Sequence, residues 1–326
     1  MPEKIILDCD PGHDDAIAIM LAAGNPDIEL LGITTVAGNH TLPNVTANAL
    51  SVCAAAGIEV PVAAGCALPM VQPQVIADDI HGETGLDGPV LPEPTFELDP
   101  RHAVDFIIET VMAHEPGTVH LVPVGPATNI GMAMRKEPRI IERVKSVVFM
   151  AGAYTRGNST PTAEFNVYAD PEAAENVFRG DWPVTMVPLD LTHQALANAE
   201  LQDRVRAIGG DLSEFVLKVW EFVGSTYQEM YEFDYPPVHD ACCVAKIIDP
   251  DVFTTSKAHV AVELTGTWSR GMTVTNFESE PGMSHGGFGR REVPAATTNV
   301  AMTLDWQRFA DMVVEAIETL TAAKRS

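Results

Sequence analysis

Hydrophobic and polar positions follow a strand-then-helix rhythm along the first two thirds of the chain. Short β-branched and apolar runs predict strands, and longer segments with apolar residues at helical spacing follow them. The predicted strands are residues 4–8, 29–36, 60–63, 118–124, 146–151 and 184–189. The predicted helices are residues 13–24, 42–56, 104–113, 127–136 and 171–178. Such βαβ units predict an α/β fold with an open, mostly parallel, Rossmann-like sheet flanked by helices.

The rhythm changes in the last third of the chain. Helical patterns cover residues 212–231, 239–248 and 306–323, and β-rich runs cover residues 258–264, 272–277 and 297–304. The chain contains no low-complexity linker and no internal repeat. We therefore expect residues 1–326 to form a single domain with C-terminal elaborations.

Two predicted loops are unusually long. Residues 65–100 are rich in proline, and residues 152–169 are rich in glycine, asparagine and threonine. Loops longer than roughly 12–15 residues in a compact domain are usually functional or disordered. Because both loops carry polar residues of interest, we interpret them as walls of a site.

Polar residues follow several predicted strands at the point where each strand ends. Asp10 follows the first strand, Asn39 the second and Val124 the fourth, while Glu164 and Asn166 lie in the loop after the fifth. The carboxyl ends of parallel strands share one edge of an open sheet, where ligands bind. The sequence therefore predicts a single site at this edge.

Four carboxylates, those of Asp8, Asp10, Asp14 and Asp15, crowd the end of the first strand. Like charges this close repel each other, and burying them without a partner is costly. A hard cation such as Ca²⁺ or Mg²⁺ would relieve the repulsion, because these ions bind carboxylate and carbonyl oxygens. The alternative interpretation is an acidic helix start, in which Asp14 and Asp15 only complement the helix dipole.

The composition of the chain excludes some classes of binding partner. The net charge of −25 opposes binding to nucleic-acid polymers and to anionic membranes. No apolar run is long enough to span a membrane, and we expect no secretory leader, because residues 1–4 are not followed by the apolar segment typical of one. The odd count of five cysteines, without framework spacing, indicates free thiols in a reducing cytoplasm. His13 and His40 are expected to be ordinary structural residues.

The motifs resemble those of one enzyme family. The pattern Asp-x-Asp-Pro-Gly-x-Asp-Asp-Ala at residues 8–16 resembles the signature of the inosine-uridine preferring nucleoside hydrolases. Other segments resemble further motifs of that family, at residues 36–39, 80–86, 124–129, 157–166, 170–174 and 236–241. The matches extend from residue 5 to about residue 250, and beyond that point only the general character is similar.

The resemblance implies an enzyme that uses Ca²⁺ and water to cleave the N-glycosidic bond of ribonucleosides. The implied metal ligands are Asp10, Asp15, Asp240 and the carbonyl of Val124, with Asp10 also accepting a proton from the metal-activated water. The implied substrate-binding residues are Asp14, Asn39, Asn158, Glu164, Phe165 and Asn166. The resemblance also suggests a homodimer or homotetramer.

The leaving base must not depart as a free anion, and four residues are candidates for contacting it. His81 and His239 could protonate it, since histidine titrates near neutrality. Tyr227 and Tyr231, at i and i+4 on one helix face, could offer hydroxyls or a stacking surface. No tryptophan lies near these motifs, which weakly favours uridine and cytidine, with inosine also open.

Three other functions share features with this sequence. Asp8-Cys9-Asp10 resembles the start of haloacid-dehalogenase-like phosphatases, but Asp14 and Asp15 would repel a phosphate. A Ca²⁺-dependent nucleoside-binding protein without turnover is the second alternative. A dinucleotide-binding fold is excluded, because the glycine-rich stretch at residues 286–289 follows no early strand and opens no helix.

Overall fold

The computed structural model describes residues 1–277 and 295–325, and its centre is one nine-stranded sheet. The strands are β1 (Glu3–Cys9), β2 (Ile28–Thr35), β3 (Val62–Ala64), β4 (Val119–Pro123), β5 (Val144–Met150), β6 (Val184–Val187), β7 (Phe253–Val262), β8 (Thr273–Phe277) and β9 (Thr298–Leu304). Their order in the sheet is β3-β2-β1-β4-β5-β6-β9-β7-β8. The first seven strands in that order pair in parallel, whereas β7 runs antiparallel to both β9 and β8. The predicted α/β class with a mostly parallel sheet is confirmed.

Helices cover both faces of this sheet. They are α1 (His13–Gly24), α2 (Leu42–Ala56), α3 (Asp78–His81), α4 (Ala103–Ala113), α5 (Thr128–Lys136), α6 (Phe165–Ala169), α7 (Pro171–Arg179), α8 (Leu189–Thr192), α9 (Ala199–Ile208), α10 (Asp211–Tyr231), α11 (Ala241–Ile248) and α12 (Trp306–Arg325). A short 3₁₀ helix spans Pro138–Ile140. Among the described residues, no helix combines the length and the apolar character needed to cross a membrane.

The central strands are apolar on both faces because each face is covered by helices. On β1, Ile5 and Leu7 pack into one core with α1, α2, α10, α11 and α12. Ile6 faces the opposite core, which α4, α5 and α7 cover. This two-sided burial holds β1 rigidly and fixes where its carboxyl end, and therefore Asp10, lies.

The element boundaries differ from the sequence prediction in several places. The strand predicted to reach residue 189 ends at Val187, because Pro188 has no N–H for the ladder and instead precedes α8. The helix predicted from residue 239 begins at Ala241. The strand predicted from residue 258 begins earlier, at Phe253, where exposed polar residues conceal the apolar pattern.

Four helices have no counterpart in the prediction. Three of them, α3, α6 and α8, have four or five residues and lie within or beside the long loops, so they are too short to show a periodic pattern. The fourth, α9, buries only Leu201 and Val205, so its apolar face is too narrow to stand out. The glycine-rich stretch at residues 286–289 lies outside the described residues.

Candidate active site

A cavity of about 310 Å³ opens at the carboxyl ends of β1, β2, β4 and β5. All the predicted site residues except Asp10 and Asp15 line it: Asp14, Asn39, His81, Val124, Asn158, Glu164, Phe165, Asn166, Tyr227, Tyr231, His239 and Asp240. The structure thus brings together residues that are up to 226 positions apart in the sequence, as shown by Asp14 and Asp240.

Carboxylates from two helix starts meet at one side of this cavity. Asp14 and Asp15 are in the first turn of α1, and Asp240 directly precedes α11. One carboxylate oxygen from each of the three lies within 4.8 Å of the others. We call these three residues, together with Asp10, the acidic floor.

Asp10 contributes a buried carboxylate to the acidic floor. The Asn39 backbone N–H donates to its Oδ2 at 2.6 Å. Its Oδ1 is buried and has no hydrogen-bond partner among the described residues. Gly38 and Gly125 leave room for this side chain, since a Cβ at either position would lie within 2.3 Å of an Asp10 oxygen. Burial and then the charge of Asp15 raise the pKa of Asp10 well above its usual range.

Asp15 supports both sequence interpretations of the acidic segment. Its carboxylate accepts hydrogen bonds from the backbone N–H groups of Gly12 and Asp10, at 2.9 and 3.0 Å, and so caps the start of α1. The same carboxylate belongs to the group that Asp14 and Asp240 complete. Asp15 therefore caps the helix, but these hydrogen bonds do not remove the crowding of negative charge in the acidic floor.

The acidic floor suits a hard cation. Burial, followed by the charge of Asp15, raises the pKa of Asp14 to about 8. Burial and then the charges of Asp14, Asp15 and Asp10 raise the pKa of Asp240 well above its usual range. A divalent cation would relieve this repulsion, because Ca²⁺ and Mg²⁺ bind carboxylate oxygens. The donor set of carboxylate oxygens fits Ca²⁺ or Mg²⁺ rather than a soft metal.

Glu164 and Asn166 form a polar wall of the cavity. Glu164 caps α6 by accepting from the backbone N–H groups of Asn166 and Val167, and it also accepts from Gly152 at 2.8 Å. Burial raises the pKa of Glu164 to about 7, against the effect of these three N–H donors. Asn166 Nδ2 donates to the Val124 carbonyl at 2.8 Å and thereby ties this wall to the end of β4.

Asn158 and Phe165 are joined in the same wall. The Asn158 side-chain oxygen accepts from the Phe165 backbone N–H at 2.9 Å. This bond closes the loop that precedes α6 and holds both residues at the cavity. Asn39, on the other side, donates through Nδ2 to the Asp10 carbonyl at 3.1 Å.

An aromatic wall comes from α10. Tyr227 and Tyr231 lie on one face of this helix with ring centroids 5.2 Å apart, as their i and i+4 spacing predicts. The Tyr227 hydroxyl is 2.9 Å from Nε2 of His239, and the Thr192 hydroxyl is 2.7 Å from Nδ1 of the same ring. Both nitrogens of His239 are therefore engaged by hydroxyl groups.

His81 projects from the long loop into the cavity beside His13. Nδ1 of His81 is 3.0 Å from Nδ1 of His13, and the two rings stack with centroids 5.2 Å apart. Burial is the main cause that lowers the pKa of His81 well below its usual range.

Comparison with known proteins identifies the family of this chain. The family model described as inosine-uridine preferring nucleoside hydrolase matches residues 5–311. The chain belongs to that family. It is 51% identical to an inosine-uridine preferring nucleoside hydrolase of Leishmania major over 323 residues, which are 98% of this chain and 99% of the relative. It is 45% identical to the pyrimidine-specific ribonucleoside hydrolase RihB of Escherichia coli K12 over 314 residues, or 96% of each chain.

Solved structures agree with this membership. A purine-preferring ribonucleoside hydrolase from Gardnerella vaginalis has a TM-score of 0.88 at 31% identity and covers 98% of this chain and 100% of its own. The plant nucleoside hydrolase PpNRh1 has a TM-score of 0.87 at 28% identity, covering 97% and 99%. The protein is therefore a nucleoside hydrolase, an enzyme that cleaves the N-glycosidic bond of ribonucleosides.

This nucleoside hydrolase has cavity residues that the sequence analysis missed. His13 lines the cavity, although it was expected to be an ordinary structural residue. Trp220 also lines it, which contradicts the expectation that no tryptophan lies near the base-side residues. Trp220 precedes Tyr227 by seven positions on α10, so helical periodicity, had it been extended two turns back, would have found it. No pattern in the sequence marks Thr192 as a partner of His239.

Proposed function

We propose that this nucleoside hydrolase depends on Ca²⁺ held by Asp10, Asp15, Asp240 and the carbonyl of Val124. The observation that supports the proposal best is the group of Asp14, Asp15 and Asp240, whose carboxylate oxygens lie within 4.8 Å of one another beside the buried Asp10. When bound there, Ca²⁺ would supply a positive charge that neutralises the carboxylates and modestly lowers the pKa of a water molecule.

Asp10 is the proposed general base. Its Oδ1 has no hydrogen-bond partner among the described residues, so it is free to accept a proton from the attacking water. The Asn39 backbone N–H fixes the other oxygen of this carboxylate and so holds its orientation. Asp14, which lines the cavity beside it, would bind the ribose hydroxyls together with Asn39.

The polar wall is the proposed partner of the sugar ring. Glycosidic bonds break through an oxocarbenium-like transition state that carries positive charge. The carboxylate of Glu164 and the amides of Asn158 and Asn166 would stabilise that charge and bind ribose hydroxyls. Each is held by hydrogen bonds to the surrounding backbone, so little reorganisation is needed when charge develops.

His239 and Tyr227 are the proposed source of the proton for the leaving base. Because Nε2 of His239 is bonded to the Tyr227 hydroxyl, we propose that the imidazolium form of His239 donates its Nε2 proton to the Tyr227 oxygen while Tyr227 passes its own hydroxyl proton to the base, which leaves both side chains neutral. Thr192 orients the ring through its other nitrogen. His81 remains the second candidate acid, and Tyr231, which lines the cavity on the same wall as Tyr227, would contact the base.

We propose uridine, cytidine and inosine as substrates, with a weak preference for the pyrimidines. The Escherichia coli relative is named pyrimidine-specific, and the Leishmania major relative is named inosine-uridine preferring. Trp220 in the cavity lining adds a surface on which a bicyclic base could stack, which favours retaining inosine in the set.

A panel of nucleosides scored by release of reducing sugar tests these proposals. Uridine, cytidine and inosine should be hydrolysed, chelation should abolish the activity, and Ca²⁺ should restore it. Binding of uridine without turnover would instead indicate a binding protein, and phosphate release from phosphate esters would indicate a phosphatase.

The sugar specificity provides a sharper prediction. A site built to bond a hydroxyl leaves polar groups unpaired when that hydroxyl is missing, which discriminates by roughly 10⁴–10⁵. The value of kcat/KM for 2′-deoxyuridine should therefore fall far below that for uridine. Comparable values for the two substrates would contradict the assigned roles of Asp14, Asn166 and Asp240.

We further propose that the enzyme works in the cytoplasm as a homodimer or homotetramer. All five cysteines are free thiols, which suits a reducing compartment. The oligomeric state stays a prediction, and sedimentation equilibrium would test it.

A further inference from the structure

His13 is buried beside the cavity, and the proposed function leaves it without a role. The ring is 1% exposed and stacks on Phe222, with centroids 5.1 Å apart and planes 2° from parallel. Its Nε2 is 2.8 Å from the carbonyl oxygen of Asp87, and its Nδ1 is 3.0 Å from Nδ1 of His81. Both ring nitrogens of His13 are therefore used in hydrogen bonds.

These contacts determine which nitrogen of each ring carries a proton. A carbonyl oxygen can only accept, so Nε2 of His13 must be the nitrogen that donates to Asp87. A neutral imidazole has one N–H and one lone pair, and burial favours the neutral ring. Nδ1 of His13 is therefore an acceptor, and Nδ1 of His81 must donate to it.

We propose that His13 is a positioning residue that holds His81 in the Nδ1–H form, so that Nε2 of His81 accepts a hydrogen bond from the leaving base. The ring of His81 lines the cavity, and its Nε2 has no hydrogen-bond partner among the described residues. Gly12 permits this arrangement, because a Cβ there would lie 2.6 Å from Nδ1 of His81.

The consequence is a preference in base recognition, which rests on the proposed function. A lone pair on Nε2 favours bases with an N–H on the edge that faces His81, such as the N3–H of uracil or the N1–H of hypoxanthine. In this state His81 binds the base as an acceptor, and the proton for departure comes from the side of His239 and Tyr227.

The first test reads the proton positions directly, without turnover. In ¹⁵N-histidine-labelled wild-type enzyme, long-range ¹H–¹⁵N spectra should show His81 in the Nδ1–H form, with the signals assigned by their loss in His81→Ala. In His13→Phe, which keeps a ring of similar size but no nitrogen, His81 should shift toward the Nε2–H form. In His13→Asn, whose side-chain oxygen can replace Nδ1 as the acceptor, the Nδ1–H form should return.

The second test follows the hydrogen bond to the base. Loss of one neutral hydrogen bond predicts that KM for uridine rises roughly three- to tenfold in His13→Phe, with a smaller change in kcat. For 3-methyluridine, which lacks the N3–H, wild type and His13→Phe should have similar KM values. Phe222→Leu removes the stacking partner of His13 but leaves the hydrogen bonds, so it should retain the Nδ1–H form and the KM for uridine.

Several results would overturn the inference. A wild-type spectrum with His81 in the Nε2–H form would do so, and so would an unchanged spectrum in His13→Phe. An equal rise in KM in Phe222→Leu would show that packing carries the effect. If wild-type enzyme released no ribose from any nucleoside, the proposed function would fail, whereas the ¹⁵N spectra would still decide the role of His13.

Discussion

The carboxylate of Asp10 is buried, and one of its two oxygens has no hydrogen-bond partner among the described residues. The neighbouring Asp8 is equally buried near the end of β1, and its Oδ2 likewise has no hydrogen-bond partner among the described residues. Asp8 Oδ1 accepts from the Thr34 hydroxyl at 2.6 Å and from Asn129 Nδ2 at 2.8 Å, away from the cavity. Asp10 differs from Asp8 because it lies beside Asp15 and Asp14, whose negative charges raise the pKa of Asp10 further, and a bound cation would relieve this crowding.

We predict that Asp10→Asn lowers kcat for uridine by roughly 10²–10⁴ at saturating Ca²⁺, because the general base is lost. The matched control is Asp8→Asn, whose amide oxygen can still accept from Thr34 and Asn129. This control should retain turnover within about fivefold, as a substitution away from the reacting atoms. Near-wild-type turnover by Asp10→Asn would rule out the assigned role.

Departure of the base provides a second prediction at this scale. General acid catalysis is typically worth about 10²–10⁴ in rate, and the benefit disappears when the leaving group needs no proton. His239→Ala and Tyr227→Phe should therefore both lower turnover of uridine and inosine by that order while sparing p-nitrophenyl riboside. His81→Ala should act more mildly. Wild-type activity in Tyr227→Phe would show that His239 acts without a relay, and equal losses on both kinds of substrate would indicate a structural role.

Helix α6 shows how a short element sets up a site. It has only five residues, yet its cap Glu164 collects three backbone N–H groups and faces the cavity. Capping and the proposed ribose binding therefore use the same buried carboxylate. Burial raises the pKa of Glu164 from its ordinary value of 4.5 to about 7. The folded protein therefore binds a proton at this carboxylate more tightly than the unfolded chain does.

The pH dependence of stability follows from that shift. Between pH 4.5 and 7 the folded state binds more protons at Glu164 than the unfolded state does, so rising pH destabilises the fold across this window. Relative to Glu164→Gln, wild type should lose up to roughly 3 kcal/mol of unfolding free energy over the window, measured by urea denaturation. Parallel curves for wild type and Glu164→Gln would contradict the prediction.

At the scale of the whole molecule, the sheet order brings distant acidic segments together. Strand β1 lies between β2 and β4, and helices α1 and α11 pack against each other on one face. Two acidic helix starts therefore meet in a chain that already carries a net charge of −25. Folding without a cation must work against this repulsion.

Ca²⁺ should accordingly stabilise the folded protein. A ligand that binds only the native state at 100 times its Kd adds about 2.7 kcal/mol, which predicts a rise in Tm of several degrees. Thermal denaturation with Ca²⁺, compared with KCl at equal ionic strength, separates site binding from screening of the surface charge. Asp240→Asn should reduce the rise, and equal effects of Ca²⁺ and KCl on wild type would contradict a metal site.

The residues of the site differ in how far the sequence could predict them. Asp10, Asn39 and Val124 follow strands whose pattern is strongly apolar, so their meeting at one edge follows from parallel topology alone. Tyr227 and Tyr231 share a helix face because of the 3.6-residue repeat. His13 lies on the same helix as the acidic pair, yet nothing local shows that a loop residue, His81, packs on its ring.

The sequence by itself determined the α/β class, the rhythm of strands and helices and the acidic motif, because these depend on local periodicity and residue type. Tertiary structure decided the rest: the hydroxyl partners of His239 and the pairing of His13 with His81. Each of these is a contact between segments whose separation leaves no periodic trace. Such contacts depend on how packing orients the elements, so they can be read only once the fold is known.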